Sequence, residues 1–150
     1  MSLRAKTVQK GFTLIELLIV IAIIGLIAAM LIPNLLDALQ KVKQKRTMAD
    51  MRSIGTAIES YSVDFSHYPQ GNLGAVIPVL EPVYIKKCPT TDGWKNALTV
   101  DAVADTGYTI ESFAKGGADD TDISGATANF SDDIVFVDGQ FVSWPEGQQK

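Results

Sequence analysis

The stretch Gly11 to Pro33, G-F-T-L-I-E-L-L-I-V-I-A-I-I-G-L-I-A-A-M-L-I-P, decides how the chain is built. Between Phe12 and Ile32 only Thr13 and Glu16 are polar. As a helix rising about 1.5 Å per residue, the run spans roughly 30 Å, the hydrocarbon thickness of a bilayer. It is apolar all round, with no face suited to water. Two features separate it from a plain signal anchor. A carboxylate inside a membrane span costs about 2.5–3.5 kcal/mol on insertion scales, so Glu16 calls for a partner there. The small residue Gly11 stands before the apolar run, whereas a secretory signal is cut after its apolar core. Cleavage between Gly11 and Phe12 keeps the core on the mature chain and creates a cationic α-amine on Phe12. Glu16 follows one helical turn later on the same face. The amine of the same chain, or of a neighbour, can then neutralise it in lipid.

Outward from this run the charges are uneven. The net charge is −4, yet the first eleven residues carry Arg4, Lys6 and Lys10 and no acid. A basic leader before an apolar span predicts a cytoplasmic N-terminus, with the bulk of the chain across the membrane. Basic residues recur at Lys41, Lys43, Lys45 and Arg46, and most acids lie after Asp50. An acidic exported domain gives no reason to expect nucleic acid. Cys88 is the one cysteine, so no intramolecular disulfide forms. It reads as a small, half-buried apolar residue.

One long helix is predicted from Phe12 to Phe65. Pro33 removes a hydrogen bond and crowds the Ala29 carbonyl. With Gly25 nearby, the segment from Gly25 to Pro33 is expected to be the weakest part, kinked or locally melted. Beyond it, Ala38, Val42, Met48, Met51, Ile54, Ile58, Tyr61 and Phe65 recur at helical steps and predict a stripe packed on a sheet. Lys41, Lys45, Asp50, Arg52 and Glu59 form the opposite face. The helix is expected to stop near Ser66, since Pro69 disfavours helix before it. The single histidine, His67, reads as a surface or packing residue. Asn72 to Val79 suggests a short helix. Alternation over Ala97–Val103 and Tyr108–Phe113 predicts strands, and Asp138-Gly139 between apolar runs predicts a type I′ hairpin. A small antiparallel sheet laid on the helix follows. Trp94 and Trp144 read as core or interface.

The segment S-F-A-K-G-G-A-D-D-T-D-I-S, Ser112 to Ser124, gathers Asp119, Asp120 and Asp122 among glycines. Hard cations such as calcium take six to eight oxygens from flexible loops. The alternative is a solvated acidic loop. EF-hand spacing is absent. So are G-x-S-x-G, a P-loop, H-E-x-x-H and a histidine partner for Cys88, which leaves no catalytic constellation.

The entrance G-F-T-L-I-E, the apolar run and Pro33 resemble the class III signal of type IV pilins and type II secretion pseudopilins. By that resemblance a prepilin peptidase cuts after Gly11 and methylates Phe12. Glu16 is then the acidic residue needed for assembly, and the segment around Pro33 loosens as filaments form. Farther on, Y-P at Tyr68-Pro69, Y-I-K-K-x-P, D-G-W-x-N, Y-T-I-x-S and the Gly/Asp loop resemble, in order, the major pseudopilin (GspG-like) group. The implied fold is α+β and type IV pilin-like, a long N-terminal helix against a small C-terminal antiparallel sheet. It divides into a leader, 1–11; a membrane and filament-core helix, 12–32; its amphipathic continuation, 33–66; and a globular domain, 67–150.

That group binds calcium in the corresponding loop. Here Gly116 stands about where one ligand aspartate belongs, and Asp122-Ile123 matches the later one. The implied site is therefore Asp119, Asp120 and Asp122 with the Phe113 carbonyl. The resemblance further implies a helical homopolymer of identical subunits. A prepilin peptidase, an inner-membrane platform with a cytoplasmic ATPase, minor pseudopilins or pilins, and membrane lipid before assembly are the expected partners. The location is the inner membrane at first and a periplasmic or extracellular filament later. A type IV pilin of a surface pilus is the alternative. A membrane-anchored periplasmic enzyme or binding domain is a third reading.

Overall fold

Helix α1 runs without interruption from Leu14 to Phe65. The computed structural model describes residues 11–119, 124–147 and 149. By contacts the chain divides into two units, residues 1–36 and 37–150. In the first, every large apolar side chain from Phe12 to Ile32 is exposed, from 46% for Val20 to 87% for Leu14. Pro33 sits inside the helix and does not melt it. The Asn34 side-chain amide donates to the Met30 carbonyl at 3.5 Å, a long bond within the turn that the proline weakens. Of the two outcomes expected between Gly25 and Pro33, a kink or local melting, melting does not occur in the single chain; loosening on assembly is a separate expectation.

In the second unit the apolar stripe is shorter and more polar than its periodicity predicts. Met51, Ile54, Ala57 and Ile58 are buried, with Met48 and Tyr61 beside them. Val42 and Phe65 stay more than half exposed. Gln44, Thr47 and Gly55 complete the buried face instead. Gly55 is required by closeness, because a Cβ there would lie 2.5 Å from the Phe136 ring. On the other face Lys41, Lys45, Arg46, Arg52 and Glu59 are exposed. Two of these touch the sheet: Arg52 lies over the Phe141 ring, and Glu59 accepts a 2.9 Å hydrogen bond from the Tyr108 hydroxyl.

Helix α2, Leu73–Leu80, begins where the Asn72 side chain caps the Ala75 amide. Among the described residues six strands form one sheet: β1 Gly71–Asn72, β2 Thr99–Val103, β3 Gly107–Ser112, β4 Gly125–Thr127, β5 Ile134–Val137 and β6 Gln140–Pro145. Their spatial order is β1-β2-β3-β5-β6-β4. Strict alternation turns Val100, Ala102, Tyr108, Ile110, Ile134 and Phe136 into the core with Val76 and Leu80. The predicted hairpin joins β5 to β6, with Asp138 and Gly139 both at positive φ as a type I′ turn demands. The sheet is antiparallel except at one edge, where β4 pairs parallel to β6. That strand, Gly-Ala-Thr, is too short to carry an alternation signal.

Cys88 is buried in this core, and burial, followed by the nearby Glu81 charge, pushes its thiol up to about 11. His67 is exposed, its ring edge-on to Tyr61. Trp94 and Trp144 are both half-buried.

Candidate functional site

Two places concentrate the candidate functional residues. At the first, Thr13 precedes helix α1, and its backbone N–H and side-chain hydroxyl both donate to Glu16 Oε2 at 2.8 Å. The Glu16 amide donates back to Thr13 Oγ1 at 3.2 Å. This is a capping box, in which two groups at a helix start satisfy each other's unpaired backbone donors. The sequence carries its signature, Thr-x-x-Glu immediately before the apolar run. Periodicity treats Thr13 only as a polar exception and misses it. The carboxylate is thereby held at the first turn of α1, and Phe12 itself is 81% exposed.

The second place is acidic. Glu111 on β3, Asp119 in the following loop and Asp133 just before β5 bring one carboxylate oxygen each to within 4.8 Å of one another. Asp119 is exposed, Glu111 half-buried and Asp133 buried. Burial raises the Glu111 carboxyl above its ordinary value, and the charges of Asp119 and Asp133 raise it further. Of the predicted ligands, Asp119 belongs to this cluster. Asp120 and Asp122 lie outside the described residues. The Phe113 carbonyl accepts the Gly117 amide at 2.8 Å, closing a turn of the loop.

No local sequence signal groups Glu111 and Asp133 with Asp119. They meet because β3 pairs with β5, Ser112 opposite Ile134, a register that no local pattern announces. Gly116 explains why an aspartate is absent from its position. A Cβ there would lie 2.8 Å from the Ser131 carbonyl oxygen, and the neighbouring Lys115 amide donates to Phe130. The loop backbone is packed onto the 129–132 turn, leaving no room for a side chain.

The donor set suits a hard cation. All three groups are carboxylates, and oxygens bound to one calcium at about 2.4 Å stand at most about 5 Å apart. A cation there would also relieve the mutual repulsion that disfavours ionised Glu111.

Comparison with known proteins gives a consistent result. Residues 6–32 match the prokaryotic N-terminal methylation motif. Residues 34–132 match the family profile described as type II secretion system (T2SS), protein G. Among curated proteins, the type II secretion system core protein G of Escherichia coli is 35% identical over 106 residues, covering 63% of this chain and 72% of the relative. That of Vibrio cholerae is 33% identical over 119 residues, 72% of this chain and 80% of the relative. That of Pseudomonas aeruginosa is 29% identical over 130 residues, 76% and 91% respectively. No solved structure matches.

Proposed function

The chain belongs to the type II secretion system protein G family, and from that premise we propose how its two parts serve as a pseudopilus subunit. The family is structural and non-enzymatic, and the exposed apolar helix is the observation that carries the reading. A 52-residue helix whose apolar first part is uncovered must be covered by lipid or by copies of itself. Before assembly the span from Phe12 to Ile32 sits in the inner membrane with the leader in the cytoplasm. Prepilin peptidase cuts after Gly11 and methylates the Phe12 amine. A membrane platform and cytoplasmic ATPase then draw subunits out, and minor pseudopilins join the filament.

In the filament, helix–helix packing replaces lipid. Apolar surface gains little from that exchange alone, so close approach at small residues supplies the association. Ala22, Gly25, Ala28 and Ala29 are the small residues of the run. Glu16 sets the register by pairing with the amine of a neighbouring Phe12. Within the isolated chain the Thr13 cap holds that carboxylate in place. Pro33, with no helical N–H to give, is where α1 can loosen during extraction. The match to protein G favours this reading over a surface type IV pilus.

The Glu111–Asp119–Asp133 cluster is a calcium site in this proposal. Calcium tolerates irregular, flexible oxygen cages better than magnesium does. Intact mass of the protein from membranes tests the processing. A chain starting at methylated Phe12 is expected, and one starting at Met1 or Ser2 overturns it. For the metal, adding a chelator to the calcium-loaded protein is expected to lower Tm by about 5 °C or more. An unchanged Tm removes calcium from the account.

A further inference from the structure

Beside the acidic cluster runs a buried polar connection that neither filament assembly nor cation binding requires by itself. Ser112 follows Glu111 directly and is fully buried. Its hydroxyl donates to Asp92 Oδ2 at 2.9 Å and accepts the Ala114 amide at 3.2 Å. Asp92 is itself 3% exposed, and its Oδ1 accepts the amides of Trp94 and Asn96, each at 2.8 Å. The Asn96 side-chain amide donates to the Ala114 carbonyl. The turn Asp92–Asn96 thus holds both ends of the Ser112–Ala114 bend, where Ala114 has φ +43°, a conformation costly for a residue other than glycine.

The same turn is fixed to helix α1. The Gly93 amide donates to Thr47 Oγ1 at 2.9 Å, and Thr47 Oγ1 donates to the Lys43 carbonyl at 3.0 Å. The Trp94 indole N–H donates to Gln40 Oε1 at 2.6 Å. A Cβ on Gly93 would stand 2.4 Å from the Lys43 carbonyl oxygen, so turn and helix backbones are in direct contact. A buried carboxylate loses hydration that its hydrogen bonds must replace, which makes such a junction stiff when complete and costly when half-made.

We infer that the Asp92–Asn96 turn is a relay through which cation loading at Glu111, Asp119 and Asp133 orders helix α1 between Gln40 and Thr47. The inference rests on the cation reading proposed above and goes beyond it. A cation pins Glu111 to Asp119 and so fixes the bend between them. The bend fixes Asp92 and Asn96, and the turn fixes Thr47 and Gln40. This is the stretch of α1 that follows Pro33 and the span. A loaded head domain therefore presents a firmer helix just beyond the membrane. Linkage makes the effect reciprocal, so cutting the relay weakens cation binding by the factor by which it frees the helix.

Hydrogen–deuterium exchange of the mature full-length chain in detergent micelles, with calcium or with chelator, tests this. In wild type, calcium is expected to slow exchange in residues 112–119, and in residues 40–47 by about fivefold. The α2 region, residues 73–80, reports general stabilisation and is expected to change less. Thr47→Val and Trp94→Phe each remove one link. Both are expected to keep protection at 112–119, reduce the extra protection at 40–47 and bind calcium correspondingly more weakly. Thr47→Ser, which retains the hydroxyl, is expected to restore the coupling. If Thr47→Val fails to fold, Trp94→Phe, at a half-buried position, carries the test. Protection of the loop without the helix in wild type overturns the relay and leaves the cation site standing. Helix protection that is undiminished in Trp94→Phe also overturns it. No protection of the loop overturns the cation reading, and the relay with it.

Discussion

Residues 12–36 and 37–150 treat their apolar side chains in opposite ways. In the first, Leu14 is 87% and Met30 68% exposed; in the second, Met51, Ile54 and Ile58 are at 0%. One part has a core of its own, and the other leaves its apolar side chains uncovered. The difference separates assembly from folding. A change in the first part is expected to leave the monomer intact and spoil the polymer. A change in the second is expected to spoil the monomer first.

The largest effect expected from this contrast is Glu16→Leu. Leucine suits the span better than a carboxylate does, so membrane insertion and the Tm of the folded domain should hold. Filament yield, measured by sedimentation of sheared material, should fall at least about tenfold, in line with losing a buried charge pair. Thr13→Ala should give a milder form of the same defect, since it removes the cap and leaves the carboxylate. Loss of Tm in either variant would mean that the two parts are not energetically separate.

Next in size is Gly93→Ala. Its Cβ would meet the Lys43 carbonyl oxygen at 2.4 Å, a backbone atom that cannot swing away, whereas at Gly55 the obstacle is the edge of the Phe136 ring. Thermal unfolding should place Gly93→Ala below wild type by about 3 kcal/mol, or roughly 10 °C. Gly55→Ala should cost less. Both variants, made as full-length precursors, should still be cleaved and methylated at Phe12 if processing depends on the first part alone.

The acidic cluster sharpens the contrast further. Glu111→Gln removes a carboxylate that stands among Asp119 and Asp133. In chelator the variant is expected to match or exceed wild type in Tm, because repulsion is relieved. In calcium it is expected to fall below wild type, because a ligand is lost. That change of sign is a signature that a purely structural glutamate would not give.

The two parts also differ in how far the sequence discloses them. The apolar part of helix α1 is legible because its message is local: a run of apolar residues, one acid, one small residue before it. The Thr13–Glu16 cap is equally local, but it is recognised only when Thr-x-x-Glu is read as a helix start. In the second part the Asp138-Gly139 hairpin and the Met51–Ile58 stripe are visible for the same reason. The residues that meet only through the fold are not. Glu111 and Asp133 are joined by strand pairing, and Gln44 and Thr47 look like solvent residues until Gln149 and Gly93 meet them. Strand β4, at three residues, carries too little pattern to be found.

The smallest effect concerns Cys88, whose surroundings test whether the core of the second part is closed at rest. Its thiol is pushed up to about 11 by burial, then by Glu81. The Glu81 side chain also accepts the Cys88 amide, which holds the two together. A folded value above the ordinary 9.0 means that the folded state binds the proton more tightly. The associated stability is fully present below pH 9 and is lost as pH rises through about 11. At pH 8 a two-unit rise leaves about a hundredfold less thiolate than in the unfolded chain. Alkylation of the native protein should therefore be slower than that of the urea-unfolded chain by at least that factor. Between pH 9 and 11, wild type should lose stability faster than Cys88→Ala, seen as a narrowing gap between their urea midpoints. Native-state alkylation at pH 8 as fast as in urea would mean that the core opens around Cys88. The contrast between an uncovered first part and a closed core in the second would then fail at that point.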